Sequence, residues 1–165
     1  MNYAIVKFII GKVLYFEAAF MMLPCVTAII YQEESGWAFF FTALLCVLIG
    51  AVLTRKSPKN SVFYVKEGFV TVALSWIVMS LMGGIPFLIG GVMTNPVDAL
   101  FETVSGFTTT GASILTDVEI VPKCMLMWRS FTHWIGGMGV LVFLLSFMHT
   151  HGSGSHMKDR KSTRL

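Results

Sequence analysis

A short apolar segment that runs into a polar, glycine-bracketed loop constrains the fold of this chain more than any other feature. The segment covers residues 96–107, and the loop covers residues 105–113 (SGFTTTGAS), between two long apolar stretches. A helix of about 12 residues is only about 18 Å long, well short of the ~30 Å core of a bilayer. Irregular backbone at membrane depth persists only where it is buried in protein or lines a water-filled path. The pattern therefore predicts a half-helix that enters the membrane, stops, and turns carbonyl groups toward an ion path.

The composition indicates a membrane protein of the all-α class. Hydrophobic residues make up 55% of the 165 residues and charged residues only 13%, about half the charged share of a soluble domain. Long apolar stretches predict four spanning helices, at about 13–31 (with a start near Tyr3), 37–54, 68–93 and 124–148. Pro24 and Pro86 are expected to kink the first and third. Lys7, Lys12 and Glu17 within the first stretch argue against a cleaved signal peptide.

The distribution of basic residues predicts the orientation. Ten of the twelve Lys and Arg residues fall on one predicted side, and only Lys123 and Arg129 fall on the other. Basic loops favour the cytoplasmic side, so both termini are expected inside the cell, with the half-helix entering from outside. If the four basic residues of the tail are discounted, six remain against two, and the sign of the asymmetry is unchanged.

The half-helix carries clear start and stop signals. Thr94 or Asn95 is the expected N-cap, Pro96 suits the first turn, and Asp98 faces the positive end of the helix dipole. The negative end of the dipole then faces the loop, where it would stabilise a dehydrated cation. Gly111 suits a position with positive φ. The carbonyl groups predicted to bind a cation belong to Thr108, Thr109, Thr110 and Gly111; the alternative is an ordinary Thr-rich external loop.

Several charged residues near the half-helix have both a functional and a structural interpretation. Asp98 and Glu102 are four residues apart and could concentrate cations at an outer vestibule, or Glu102 could pair with Arg129 in a supporting role. We expect this pairing, because Arg129 is unfavourable in lipid. His133 is expected to be a packed, hydrogen-bonded side chain. Glu17 is a functional candidate, with a structural role favoured in which it extends toward Lys12.

Other classes of site find little support in the sequence. Cys25, Cys46 and Cys124 lack the spacing of a zinc site or disulfide framework, and no basic stripe indicates nucleic acid. A histidine- and methionine-containing tract in residues 148–157 is a weak candidate for copper or zinc. No nucleophile, catalytic carboxylate pair or nucleotide loop suggests an enzyme. Trp37 and Trp128 are expected at the outer membrane interface, and Gly136, Gly137 and Gly139 predict close helix packing.

Two motifs resemble one transporter family. Residues 101–113 (FETVSGFTTTGAS) resemble the first pore loop of Trk-type potassium uptake proteins, of the Trk/Ktr/HKT superfamily. Residues 128–139 (WRSFTHWIGGMG) resemble the start of the inner helix that follows, and residues 55–86 the linker and outer helix before it. The similarity covers about residues 2–157, and together the two motifs are highly specific.

The resemblance implies a fold and a function. Members contain four repeats of outer helix, half-helix and inner helix around one pore, and each repeat supplies one filter strand. Trk members have two helices before the first repeat, which corresponds to residues 1–54 here, followed by a linker at 55–67 and the first repeat at 68–148. Within that repeat the resemblance places the outer helix at 68–93, the pore helix at 96–107, the filter at 108–113 and the inner helix at 124–148.

The resemblance also implies the ion and the partners. Thr108–Gly111 would bind K⁺ as the transported ion, with glycine at position 111 accompanying potassium and serine accompanying sodium preference. The full-length parent would lie in the inner (plasma) membrane, surrounded by lipid, as a homodimer with a cytoplasmic nucleotide-binding gating ring of the TrkA type. No other cofactor is implied.

The chain contains only one of the four repeats, so we expect a fragment. Residues 149–165 are a predicted cytoplasmic tail, whose last residues, from Asp159, depart from the family pattern and are expected to be non-native. Two alternatives remain open. One is a small channel assembled from four copies, and the other is a non-conducting membrane fragment.

Overall fold

Five helices form the structure. The computed structural model describes residues 3–55 and 65–152, without the side chains of 65–66 and 142–152. The helices are α1 (Tyr3–Tyr31), α2 (Gly36–Thr54), α3 (Val65–Ile89), α4 (Pro96–Phe107) and α5 (Lys123–Gly152). No strand occurs in the described ranges, and the predicted all-α class is confirmed.

Helix length and composition distinguish three helices that could span a membrane from the short helix α4. Within the described residues, Tyr3–Tyr31, Gly36–Thr54 and Glu67–Ile89 are long and apolar enough to cross a membrane. α5 has 30 residues, or about 45 Å of helix. α4 has 12 residues, or about 18 Å, so it covers little more than half of a bilayer core.

Some helix ends differ from the sequence expectation. α3 begins at Val65, inside the expected linker, and ends at Ile89 rather than Met93. Gly91 takes a φ of +72°, and the Met93 amide bonds back to the Phe87 carbonyl at 3.1 Å, so the chain turns before the predicted end. The basic residues Lys56 and Lys59, and the tail from 153 onward with His156, lie outside the described residues.

α1 and α2 form a tight antiparallel hairpin. A Cβ at Gly11 would lie 3.1 Å from the Gly50 carbonyl oxygen, so small residues set the separation of the two helices. Between the helices, Gln32 has a φ of +56° and the Glu33 amide bonds to the Ala28 carbonyl at 2.9 Å. The turn is therefore closed by backbone hydrogen bonds.

The core lies where this hairpin packs against α3 and α5, and α4 packs in turn against α3 and α5. The large side chains with at most 1% exposure there are Leu14, Met21, Phe39, Phe87, Phe107, Met125 and Trp128. Outward-facing aliphatic side chains are strongly exposed, such as Ile29 at 77% and Val52 at 74%. An apolar exterior of this kind suits a lipid environment rather than water.

Polar side chains within the helices are mostly satisfied locally. The hydroxyl groups of Thr42 and Thr71 donate to the carbonyl four residues earlier, both at 2.7 Å. Such bonds allow hydroxyl groups to lie in an apolar environment. Among the described residues, the buried side-chain atoms without a hydrogen-bond partner are the two carboxylate oxygens of Glu17.

Candidate functional site

The short helix α4 starts as its sequence predicts. Asn95 is the N-cap, and its Oδ1 accepts a hydrogen bond from the Val97 amide at 3.0 Å. Pro96 occupies the first turn, where backbone N–H groups have no partner within the helix, so the N–H that proline lacks is not needed. Thr103 Oγ1 donates to the Ser80 carbonyl of α3 at 2.9 Å. The half-helix is thereby fixed to the helix that precedes it.

The half-helix ends in a capped turn with an unusual residue in the left-handed position. The Thr109 amide bonds to the Gly106 carbonyl at 2.9 Å, and the Thr110 amide bonds to the Ser105 carbonyl at 3.0 Å. This is the Schellman arrangement, in which glycine usually occupies the left-handed residue. Here that residue is Thr109, with a φ of +57°. A β-branched residue at positive φ is strained, and such strain concentrates at functional sites.

The backbone then continues through Gly111, which has a φ of +76° as predicted. Thr108 Oγ1 contacts Thr110 Oγ1 at 2.8 Å, and Thr109 Oγ1 donates to the Thr108 carbonyl at 2.7 Å. In the described part of the chain, the carbonyl oxygens of Thr109, Thr110 and Gly111 accept no hydrogen bond. Residues 108–111, which we call the TTTG segment, lie exposed on one side of the fold.

A serine on the half-helix holds the far end of the TTTG segment. Ser105 is 5% exposed, and its Oγ donates to the Ala112 carbonyl oxygen at 2.6 Å. The Ala112 carbonyl is thereby turned inward, away from the exposed side. Sequence reasoning did not single out Ser105, because its position seven residues before Ala112 forms no recognisable spacing.

Glu102 connects the half-helix, the loop and α5. The side chain is 1% exposed, and one carboxylate oxygen accepts a bond from Arg129 Nε. The Ser113 hydroxyl donates to both carboxylate oxygens at 3.1 and 3.2 Å, and the Ile114 amide donates at 3.0 Å. The predicted pairing with Arg129 is present. Because its carboxylate is buried, Glu102 does not face an outer vestibule together with Asp98.

Asp98 instead borders a separate cavity on the loop side of α4. The cavity has a volume of about 530 Å³ and is lined by residues of the α3–α4 connection and of the loop that follows residue 113. Asp117 also borders it, and its Oδ1 accepts a bond from the Glu119 amide at 3.0 Å. Within the described residues, no group of three or more His, Cys, Asp or Glu side chains could hold a metal ion.

α5 lies close behind the end of the half-helix. A Cβ at Gly136 would lie 2.8 Å from the Phe107 carbonyl carbon, a distance that real Cβ atoms do not reach. His133 Nδ1 lies 2.9 Å from the Arg129 carbonyl oxygen, in agreement with the predicted hydrogen-bonded side chain. Close packing, predicted from the glycines of this helix, thus occurs at Gly136 against Phe107.

Trp128 is not at the membrane interface, and this part of the sequence interpretation is wrong. The ring is fully buried, and its Nε1 donates to the Gly83 carbonyl at 2.9 Å. Packing against Phe39, with ring centroids 6.1 Å apart, and the hydrogen bond place the indole in the core. Trp37 is 65% exposed, compatible with an interface position.

Glu17 also differs from expectation. The sequence interpretation had it extend toward Lys12, but the side chain is 0% exposed and lies among packed helices. Lys12 Nζ instead lies 5.6 Å from the centroid of the Phe8 ring. Glu17 lies five positions after Lys12, so the two side chains do not share a helix face in the way that an i, i+4 pair does.

Glu33 caps α5, a contact that the sequence did not reveal. Its carboxylate oxygens accept bonds from the Lys123 amide at 2.6 Å and the Cys124 amide at 2.9 Å. Burial raises the pKa of Glu33, but these hydrogen bonds from the α5 N-terminus outweigh it and hold the pKa below its ordinary value. Ninety residues separate Glu33 from Lys123, so the contact depends on tertiary structure.

The fold and the site together define a class of protein. Long apolar helices pack beside a short helix that ends in a strained turn, where three carbonyl groups accept no hydrogen bond from the described residues. This arrangement is that of polytopic membrane transporters with a pore loop. A family model described as TrkH, cation transport protein, matches residues 35–164. The chain belongs to this TrkH family of cation transport proteins.

Individual relatives agree with this assignment. An uncharacterized cation transporter of Methanocaldococcus jannaschii is 33% identical over 150 residues, 90% of this chain and 31% of the relative. The Trk system potassium uptake protein TrkG of Escherichia coli is 32% identical over 152 residues, 91% of this chain and 31% of the relative. The chain therefore spans about a third of the length of the curated relatives it matches.

A solved structure has the same arrangement of helices. The crystal structure of the potassium transporter TrkH from Vibrio parahaemolyticus superposes with a TM-score of 0.85 at 30% sequence identity. The superposition covers 90% of this chain and 32% of that chain. The fold of this chain is therefore that of part of a TrkH membrane transporter.

Proposed function

We propose that this chain supplies one filter strand of a potassium uptake transporter of the cell membrane. The observation that carries the proposal is the half-helix that ends at Phe107 and continues into the TTTG segment, where three carbonyl oxygens accept no hydrogen bond from the part of the chain that the structure describes. Carbonyl oxygens that lack protein donors can replace the hydration shell of K⁺. The names of TrkG and of the solved TrkH, both potassium transporters, support K⁺ as the ion.

The arrangement of the half-helix favours a cation at the TTTG segment. Its C-terminal end carries the partial negative charge of the helix dipole, and this end is directed at the loop. Capping bonds already occupy the carbonyls of Val104, Ser105 and Gly106. The Phe107 carbonyl packs against Gly136 of α5, and the Thr108 carbonyl accepts a bond from Thr109 Oγ1. The carbonyls of Thr109, Thr110 and Gly111 are therefore the ones available to an ion.

Glu102 and Arg129 have a supporting role in this proposal. Their ion pair joins the half-helix to the inner helix, and the same carboxylate holds the backbone at Ile114. With Ser105 fixing Ala112, both the start and the end of the filter strand are attached to rigid helices. A filter needs such rigidity because each carbonyl must stay at a fixed distance from the ion.

The rest of the proposal concerns the full-length parent. The excess of basic residues on one side supports a cytoplasmic N-terminus, with the half-helix entering from outside. The exposed face of the TTTG segment would meet three further filter strands, which lie outside this chain. The parent would act as a homodimer with a cytoplasmic gating ring of the TrkA type, as the resemblance of the two motifs implies.

The experiment replaces the matching segment of Vibrio parahaemolyticus TrkH with residues 1–157 of this chain. Uptake of rubidium, a potassium analogue, is measured in cells that lack their own potassium uptake systems. We expect the chimera to restore uptake, and Gly111→Ser to shift the selectivity from potassium toward sodium. Failure of a stably inserted chimera to conduct would refute the proposal.

A matched control separates ion selectivity from backbone strain. Gly91 has a φ of +72° and Gly111 a φ of +76°, and a Cβ at either would meet no atom within 4 Å. Gly91→Ser therefore introduces the same backbone strain outside the loop. It should leave the potassium-to-sodium ratio unchanged, and an equal shift in both variants would remove the support for a filter role of Gly111.

The unmodified chain distinguishes the alternatives. As a single repeat it supplies one quarter of a filter, so we expect no rubidium uptake when it is expressed alone. Uptake by the chain alone, together with tetramers in detergent, would favour the four-copy channel instead.

A further inference from the structure

A buried carboxyl group in the middle of α1 has no partner in the described structure. Glu17 is the central residue of the helix Tyr3–Tyr31 and is 0% exposed. Neither carboxylate oxygen has a hydrogen-bond partner among the described residues. By contrast Glu102, almost equally buried, is bonded to Arg129, Ser113 and Ile114. The two glutamates are therefore buried to a similar extent but differ in their hydrogen-bond partners.

Glu17 lies behind the inner end of the half-helix. A Cβ placed on Gly83 of α3 would lie 3.4 Å from Glu17 Oε1, 3.1 Å from the Phe107 ring and 3.5 Å from the Trp128 ring. The carboxyl group thus reaches the point where α3, α4 and α5 meet. The glycine makes room for it.

No cation faces this carboxyl group in the described structure. From α2, the titratable group close enough to interact with it is the buried thiol of Cys46. On α1, Lys12 lies over Phe8. From α5, Arg129 is paired with Glu102 of α4, and His133 contacts the Arg129 carbonyl. Asp98 of α4 borders the loop-side cavity, and Glu67 of α3 lies more than four turns from Gly83.

An isolated carboxylate in such a place is strongly unfavourable, whereas a neutral carboxylic acid is tolerable. The neutral form carries one O–H donor. The adjacent turn of α3 has a complementary deficiency, because Pro86 lacks an N–H and leaves the Met82 carbonyl without its helical donor. Neighbouring helices commonly supply the missing donor at such a proline.

We propose that Glu17 is a proton-binding site in the middle of the membrane, occupied at neutral pH, whose proton allows α1 to pack against the proline-interrupted turn of α3. The ligand is a proton, and the site adds to the transport function proposed above without depending on which ion passes the TTTG segment. Loss of this proton at alkaline pH would place a charge behind the half-helix and loosen the packing of the α1–α2 hairpin.

Infrared spectroscopy of the unmodified chain in lipid nanodiscs tests the proposal directly. At mildly alkaline pH, where exposed carboxyl groups are ionised, we expect the carbonyl stretch of a protonated carboxylic acid. Carbon-13 labelling of glutamate should shift this band. The band should persist in Glu67→Gln and Glu102→Gln, the variants of the other buried glutamates. Absence of the band, or its loss in either variant, would overturn the proposal.

The dependence of stability on pH gives a second test. In the unfolded chain Glu17 is ionised at neutral pH, so folding takes up one proton, and the folded-to-unfolded ratio of the wild type falls about tenfold per pH unit at this site. Glu17→Gln removes that contribution and should be at least as stable as the wild type, with a margin that grows as pH rises. Glu102→Gln, the matched control, should be destabilised. A Glu17→Gln variant less stable than the wild type at every pH would contradict a neutral Glu17.

Discussion

Gly136 of α5 packs directly against the backbone of Phe107, the last residue of the half-helix. A Cβ at position 136 would lie 2.8 Å from the Phe107 carbonyl carbon and 3.0 Å from its Cα. Backbone atoms cannot move aside as the end of a flexible side chain can, so this contact limits how closely α5 and the end of α4 approach each other.

This contact predicts a strong effect of a single methyl group. Gly136→Ala should lower the free energy of unfolding by about 1–3 kcal/mol, as overpacking in a dense core does, and should reduce rubidium uptake by the chimera. Gly137→Ala is the control, because its Cβ would meet Thr109 Cγ2 only at 3.9 Å. Equal thermal stability of the two variants would show that the close approach to Phe107 does not exclude a side chain at position 136.

The ion pair behind the TTTG segment predicts a second effect. Breaking a buried pair costs about 3–5 kcal/mol, but Arg129 keeps 24% of its side chain exposed. We therefore expect Glu102→Gln to lose about 2 kcal/mol of stability, a value reduced for solvent screening. A double-mutant cycle with Arg129→Gln, measured by thermal unfolding in detergent, should give a favourable coupling energy. Glu119→Gln, on an exposed residue of the following loop, should change little, and additive single effects would argue against the pairing.

The strained residue in the capped turn predicts a stabilising substitution. Thr109 has a φ of +57°, and glycine relieves the strain of a β-branched residue there by about 1 kcal/mol. Thr109→Gly should therefore raise thermal stability while lowering transport, because the loop loses a restraint. Thr110→Gly is the control. Since Thr110 has no positive φ, glycine should destabilise the fold there. A gain of stability in both variants would show that relief of strain at Thr109 is not the cause.

The cap that Glu33 forms on α5 predicts that the stability of the fold depends on pH. The pKa of Glu33 is lower in the fold than in the unfolded chain, so its stabilisation is complete above the ordinary glutamate pKa of about 4.3. It is lost as the pH falls through the lower, folded-state pKa. Glu33→Gln should lower the free energy of unfolding by about 1 kcal/mol at neutral pH, the usual effect of losing a helix cap. Its thermal stability should also depend less on pH in the acid range. Glu34→Gln, on the exposed neighbour, should lose thermal stability at acid pH just as the wild type does. If Glu33→Gln also loses stability at acid pH to the same extent as the wild type, the Glu33 cap is not the cause of that loss.

The local features of this site could be predicted from the sequence. The bounds of α4 (Pro96–Phe107) and the positive φ of Gly111 follow from rules that act over a few residues. The same rules limited the N-cap to Thr94 or Asn95, and the structure has Asn95. The Glu102–Arg129 pair also followed, because each charge is unfavourable in lipid and both flank the same loop. These predictions needed only hydropathy, helix length and the preferences of proline, glycine and asparagine.

Contacts between distant segments were decided by the tertiary structure. The sequence alone determined an all-α membrane fold with a half-helix too short to span and a threonine-rich loop after it. Only packing decided that Trp128 turns inward to the Gly83 carbonyl and that Glu33 caps α5. Packing also decided that Glu17 is enclosed with no hydrogen-bond partner among the described residues. The physical reason is that hydropathy fixes whether a helix lies in the membrane, whereas the side of the helix that faces protein or lipid depends on neighbours far away in the chain.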